Sequence, residues 1–162
     1  MKIAYLAAGA AGMYCGSCLH DNTLATALIQ GGDEVLLIPT YTPLRTDEKD
    51  VSVPKLFYGG INVYLQQKLS LFRRTPWWFD SLLNAPWLVG TLAKLGSSVD
   101  PHQLGALTTS MLEGEQGHQK KELDKLIRWL AEEIRPDVVH LSNSMLVGMT
   151  RELRQRLKVP VV

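Results

Sequence analysis

Uninterrupted apolar runs alternate with stretches of helical period along this chain, and their order predicts the fold class. Lys2-Ile3-Ala4-Tyr5-Leu6-Ala7-Ala8 is an apolar run with no polar face, the pattern of a strand buried on both sides in a parallel sheet. It breaks at Gly9, and a loop containing Gly12 and Gly16 follows. Ser17 or Asp21 then stands where a helix cap belongs, ahead of Leu24, Ala27 and Leu28 on one helical side. Gly31-Gly32 ends that helix, and Asp33-Glu34-Val35-Leu36-Leu37-Ile38-Pro39 begins a second buried strand. Strand, glycine loop, helix and strand make a βαβ unit, the building block of an α/β domain with a parallel sheet.

The middle of the chain is less regular. Residues 42–54 are polar, contain Asp47-Glu48-Lys49-Asp50, and read as a solvated loop; Lys55-Leu56-Phe57-Tyr58 reads as a third strand, stopped by Gly59-Gly60. Residues 62–97 read as a helical insertion restarted at Thr75-Pro76 and Pro86. Its proline breaks and its excess of aromatics suggest a lid over one side of a crevice, with Trp77 and Trp78 as core of a small subdomain rather than a membrane contact. From Gln116 the pattern sharpens. Leu123, Leu126, Ile127, Leu130 and Ile134 fall three or four apart on one helical face, with Lys121, Glu122, Lys125, Glu132 and Glu133 on a solvated face. Pro136 ends that helix, Asp137-Val138-Val139-His140-Leu141 is a further buried strand, and a helix through Met145, Leu146, Met149, Leu153 and Leu157 leads to the strand-like Val159-Pro160-Val161-Val162. The expected fold is a Rossmann-like, three-layer α/β domain over residues 1–162 with a mostly parallel sheet. The final apolar strand, with nothing following to cover it, leads us to expect one half of a longer protein.

Composition narrows the function classes. A chain of 162 residues with 46% apolar content can bury one substantial core. A net charge of +1 gives no global field for nucleic acid, and no second basic cluster joins Arg73-Arg74, so nucleic-acid binding is not expected. Gly9 and Gly12 interrupt the first apolar run too early for a signal peptide, and residues 81–93 are too few and too polar to span a bilayer. The expected compartment is the cytoplasm.

Two groups of residues carry candidate chemistry. Gly9, Gly12 and Gly16 are spaced G-x-x-G-x-x-x-G, which is neither the dinucleotide fingerprint nor a P-loop, and Pro39-Thr40-Tyr41 stands where a nicotinamide site would want an acid. A glycine loop at a helix start still brings N–H groups and the positive end of the dipole up to a phosphate; the plain alternative is a tight turn and nothing more. Cys15-Gly16-Ser17-Cys18 is a C-x-x-C in the same loop, a spacing used by dithiol oxidoreductases. With no second such pair, Cys15, Cys18 and His20 do not make a zinc site. His140 closes a parallel strand at its carboxyl end, where open α/β sheets hold ligands, and Ser142-Asn143-Ser144 after it suits either sugar hydroxyls or a helix cap. His20 and Asp21, at the start of the first helix, are expected to face the same crevice, whereas His102 and His118 are expected at the surface.

Read in order, these segments resemble the amino-terminal half of a retaining glycosyltransferase with the two-Rossmann-domain (GT-B) fold, of the family 4 or glycogen-synthase-like type. The resemblance rests on the first strand, the glycine loop, Gly31-Gly32-Asp33-Glu34-Val35, Tyr58-Gly59-Gly60-Ile61-Asn62-Val63-Tyr64-Leu65, and Arg135-Pro136-Asp137-Val138-Val139-His140. It implies a hexosyltransferase activity of the full-length protein, with an acceptor-binding domain here and a carboxyl-terminal domain, absent from this chain, that holds the nucleotide sugar. It also implies a donor-phosphate loop at Gly12, Gly16 and Ser17, acceptor or sugar contacts at His20, Asp21, His140 and Asn143, and no required metal or other cofactor; a peripheral membrane contact, suggested only by the arginines and aromatics of residues 71–79, is not favoured. Two departures stand out: Cys15-Gly16 replaces paired glycines, and Ser142 replaces the second histidine of a D-V-V-H-x-H motif. The reading from another class is a free-standing ligand-binding domain or a dithiol redox protein. If the thiols are reduced and structural, as the phosphate reading suggests, Cys15→Ser/Cys18→Ser leaves transfer by the full-length enzyme largely intact. Loss of activity with an unchanged circular dichroism spectrum would move redox chemistry to first place.

Overall fold

The computed structural model describes residues 1–10, 13–57 and 101–162. Strand β1 (Lys2–Ala7) pairs in parallel with β2 (Glu34–Pro39) on one side and β3 (Val138–Leu141) on the other. Helix α1 (Gly16–Gln30) connects β1 to β2. Helices α2 (Pro101–Leu112) and α3 (Lys120–Trp129) precede β3; a 3-10 segment (Ser144–Met149) and helix α4 (Thr150–Leu157) follow it. Single parallel bridges extend the pairing at both edges, Leu37 with Ser52 beyond β2 and Val139 with Val161 beyond β3. The chain thus runs outward from β1 through β2 to Ser52, crosses back to β3, and runs outward again to Val161. That order, β2-β1-β3 with the reversal between β1 and β3, is compatible with a Rossmann-like sheet.

The period-2 alternation of β1 divides the core into two layers. Ile3, Tyr5 and Ala7 pack with Leu37, Cys18 and Ala25 against α1, while Ala4 and Leu6 pack with Ile38 and Val139 against the other side. That second layer is filled by Leu123, Leu126, Ile127 and Leu130 from the α3 segment and by Leu146, Met149 and Leu153 around α4. Helices on both faces of a parallel sheet are the three-layer arrangement that the apolar runs imply.

Several local expectations are corrected. Lys55, Leu56 and Phe57 form no strand; the third pairing lies earlier, where the Val53 N–H donates to Leu37 O at 2.8 Å beside the Ser52 bridge. Phe57 is instead a buried core residue with its ring 4.9 Å from that of Trp129, and Lys55 lies 4.3 Å above the same indole. Backbone pairing, which any side chain permits, took precedence over the apolar signal. The loop before it is mostly exposed, yet Leu44 is buried and Asn22 pins the loop by donating to Lys49 O and accepting from the Val51 N–H.

Helix α1 buries Cys18, Asp21, Asn22 and Ala25, with Leu24 and Leu28 flanking and Ala27 exposed, so its inner face is small and polar rather than an apolar stripe. Neither Ser17 nor Asp21 caps it; Cys15 occupies the cap position with extended backbone, and Gly16 opens the helix. Residues 101–112, without pattern in the sequence, are helical, and His118 is half-buried rather than exposed. Glu122 lies inside the core layer instead of on the solvated face, its carboxylate accepting from Lys125 Nζ at 3.0 Å. Past Trp129 the helix widens into a π turn (Leu130–Ile134), and the Arg135 N–H reaches Leu130 O at 2.7 Å. Pro136 lacks the N–H to continue, and Arg135 turns left-handed at φ 53°. The helical insertion expected over residues 62–97, and Tyr58, lie outside the described residues.

Leu126 is fully buried between the sheet and its helix neighbours, whereas Glu132 is exposed. Leu126→Ala is expected to cost about 3 kcal/mol of unfolding free energy and Glu132→Ala less than about 0.5, both read by urea denaturation. Equal effects would mean that the α3 face does not carry the core.

Candidate functional site

The loops after β1 and β3 leave neighbouring strands at the sheet's carboxyl edge, beside the reversal of strand order. In open α/β sheets this is where a crevice forms. Gly9 starts the first loop at φ +82°, and a Cβ there would lie 2.0 Å from Thr42 O of the loop after β2. Only glycine allows that contact. Thr40, the residue after β2, is fully buried and donates its hydroxyl to Ala7 O at 2.9 Å. The position at which a ribose-binding acid would stand is therefore spent on the backbone of the neighbouring strand.

Four polar side chains meet on the α1 side of this edge. Tyr5 and His140 are register partners on β1 and β3, so they emerge on the same face, with ring centroids 4.3 Å apart and planes at 70°. The Tyr5 hydroxyl donates to Asp21 Oδ1 at 2.9 Å, and His20 Nδ1 lies 3.4 Å from the same oxygen. Asp21 is buried and His20 is exposed. Burial pushes the tyrosine phenol far up, reinforced by the hydrogen bond to Asp21 and by that residue's charge. His140 is moved down from its ordinary value, chiefly by desolvation, with Asp21 opposing and His20 adding to the shift. Desolvation wins, and the imidazole is neutral at pH 7.

The residues expected in the site are thus partly gathered. His20, Asp21 and His140 come together, although Asp21 sits in the second turn of α1 rather than the first. Asn143 has a structural duty, its Oδ1 accepting from the Met145 N–H at 3.0 Å as the cap of the 3-10 segment. Its amide NH2 is the part left for a ligand. Gly16 and Ser17 are exposed at the start of α1, and a Cβ at Gly16 would have open space around it. Gly12 lies outside the described residues. The Ser142 hydroxyl oxygen is buried without a hydrogen-bond partner, while its N–H donates to Leu6 O at 3.0 Å. Ser142 follows the last residue of β3 directly.

Three contributors carried weaker signals in the sequence. Tyr5 was hidden in an apolar run, but a tyrosine inside a two-faced strand needs a partner for its hydroxyl. Ser142 stood out as a departure from a motif and as one of three polar residues after β3, with nothing to mark its hydroxyl as unpartnered. Arg45 gave no signal beyond being a cation shortly after β2; its guanidinium lies 4.3 Å over the ring of Tyr14 in the glycine loop.

The two thiols are unequal. Cys18 is buried and its pKa rises to about 11, first by desolvation and then through Cys15. Cys15 is half-exposed and its pKa falls to about 7, first through the Ser17 hydroxyl 3.0 Å away and then through the Cys18 N–H. Its sulfur makes no full capping bond, yet it lies close enough to the first N–H groups of α1 for them to favour the thiolate.

Among the described residues, no group of three His, Cys, Asp or Glu side chains is arranged to hold a metal ion, and no helix is long and apolar enough to cross a membrane. A groove of 320 Å³ opens beside the end of β3, lined by Asn143, Ser144 and Val147 among others. A larger one of 630 Å³ continues along α4 past Arg151, Arg154 and Lys158, sharing Val147 and Thr150 with the first. Comparison with protein-family models, curated proteins and solved structures returned no match.

The lowered pKa of His140 makes a signed prediction. The unfolded chain takes up a proton near pH 6.5 while the folded one does so only at lower pH. Its contribution is thus fully present above about pH 6.5 and lost as pH falls from there through the folded-state pKa. NMR titration of the His140 ring should give a midpoint below 6.5, and His140→Gln should flatten the stability profile in that window. A midpoint above 6.5 would mean that Asp21, not burial, controls this imidazole.

Proposed function

We propose that this chain is the acceptor-side half of a nucleotide-sugar-dependent retaining glycosyltransferase, with the donor held mainly by a second domain. The observation that carries the reading is the convergence of the α1 start with the His20, Asp21, Tyr5 and His140 group beside the strand-order reversal. In this reading the N–H groups at Gly16 and Ser17 approach the leaving diphosphate, where charge builds up as the sugar departs. Arg45, over Tyr14, adds a cation to the same rim. A neutral His140 can accept a hydrogen bond from, or give one to, a sugar hydroxyl. The orphaned Ser142 hydroxyl and the free amide of Asn143 are suited to the same ligand class, since a buried hydroxyl without a partner costs free energy that a bound hydroxyl would recover.

The same geometry supports a division of labour. Thr40, not an acid, follows β2 and is committed to Ala7, so that position offers nothing to select a ribose. A few N–H groups facing water give a nucleotide sugar weak binding only, with a dissociation constant on the order of millimolar. Calorimetry of residues 1–162 with uridine, guanosine and adenosine diphosphate sugars is expected to show such binding without turnover. Ser17→Glu, which sets a carboxylate at the exposed first turn, should abolish it. Binding that ignores Ser17→Glu would put the nucleotide elsewhere and sink the loop assignment; micromolar affinity or turnover would show a complete donor site.

A further inference from the structure

We propose that Cys15 and Cys18 form a thiol–disulfide exchange pair, with Cys15 attacking small disulfides and Cys18 resolving the mixed disulfide into an intramolecular one. This does not depend on the transferase reading. The cysteines stand three apart across the start of α1, one at the cap position with extended backbone and one in the first turn. A pair three residues apart at a helix start is the C-x-x-C spacing at which dithiol oxidoreductases close their disulfide. The two thiols lie close enough to influence each other, Cys15 pushing the Cys18 pKa up and Cys18 pulling that of Cys15 down.

Their surroundings assign the order of events. Cys15 is half-exposed, with the Ser17 hydroxyl 3.0 Å from its sulfur and the first N–H groups of α1 nearby, so it presents a thiolate to solvent near neutral pH. Cys18 is buried, which protects it from a first attack yet leaves it beside the Cys15 sulfur. A pair kept only for packing has no need of this asymmetry.

The chemistry balances with a small disulfide, such as glutathione disulfide, as the oxidant. The Cys15 thiolate attacks one sulfur of that disulfide, forming a mixed disulfide and expelling one thiolate. Cys18 loses its proton to water and attacks the Cys15 sulfur; the bond to the small thiol breaks and the Cys15–Cys18 bond forms. Two thiols of the protein are oxidised, and one small disulfide is reduced to two thiols.

The rate has a calculable size. At pH 7 a thiol of pKa about 7 is half ionised, against roughly 3% for a free cysteine, a gain of about 15-fold in thiolate. The lower basicity cuts its nucleophilicity about 5-fold, leaving an advantage of about 3-fold at pH 7.

The test uses the full chain, glutathione disulfide and mass spectrometry after acid quenching. The wild type should lose a pair of hydrogens and retain no glutathione. Cys18→Ala, which keeps the buried position small and apolar, should stop with glutathione on Cys15, and Cys15→Ala should stay unmodified over the same time. In Cys18→Ala the rate should rise with pH around a midpoint near 7. Glutathione retained by the wild type, Cys15→Ala reacting as fast as the wild type, or an inert wild type would each overturn the proposal.

Discussion

Strand β1 has no face turned to water, and everything placed at the candidate site follows from that. It is paired along both edges and covered by helices above and below. A strand in that position tolerates polar atoms only where they are bonded, because an unpaired buried hydroxyl costs about 1–3 kcal/mol. Tyr5 brings one such hydroxyl into the layer under α1, and Asp21 receives it. That bond brings a carboxylate into the buried face of α1, and small residues such as Ala25 and Cys18 let the helix come close enough to the sheet to make it. His140, the register partner of Tyr5, is then desolvated by the same cover. The site's electrostatics descend from one polar residue in the most buried strand.

The sheet was legible in the sequence because strands buried on both faces read as apolar runs, and β1, β2 and β3 lie where those runs lie. The α3 face was legible for the related reason that a helix covering a sheet repeats its leucines at helical spacing. What was not legible depended on contacts rather than on period. Ser52 pairs through its backbone, so nothing in its side chain marked it. Helix α1 meets the sheet through small and polar residues, so a search for leucines chose the wrong side of it in part. Glu122 reads as surface until Lys125 is seen to accompany it inward.

The candidate site divides the same way. His20, Asp21 and His140 could be singled out because topology puts ligands at strand ends and helix starts, whatever the side chains do. Asn143 reads in the sequence as either a helix cap or a sugar contact, and the structure shows the cap. Tyr5 and Ser142 acquire significance only from what surrounds them: one hydroxyl has found a carboxylate and the other has found nothing. No period or spacing in the chain distinguishes those two fates.

The phosphate reading and the thiol chemistry meet at one set of atoms. In the proposed transferase reading the first N–H groups of α1 attract a diphosphate, and two of them, on Ser17 and Cys18, already favour the Cys15 thiolate. A helix start offers only about half a positive charge, which cannot hold two anions well. Across a few ångströms and through solvent, a thiolate and a phosphate repel by about 1 kcal/mol, roughly a five-fold change in affinity. Protonation or disulfide formation removes the sulfur's charge and with it that repulsion. With a pKa about 7, Cys15 is charged about half the time at neutral pH. On that reading the anion affinity of the loop is set by the sulfur as much as by the glycines, so Cys15 bears on the chemistry of the site and not only on its shape.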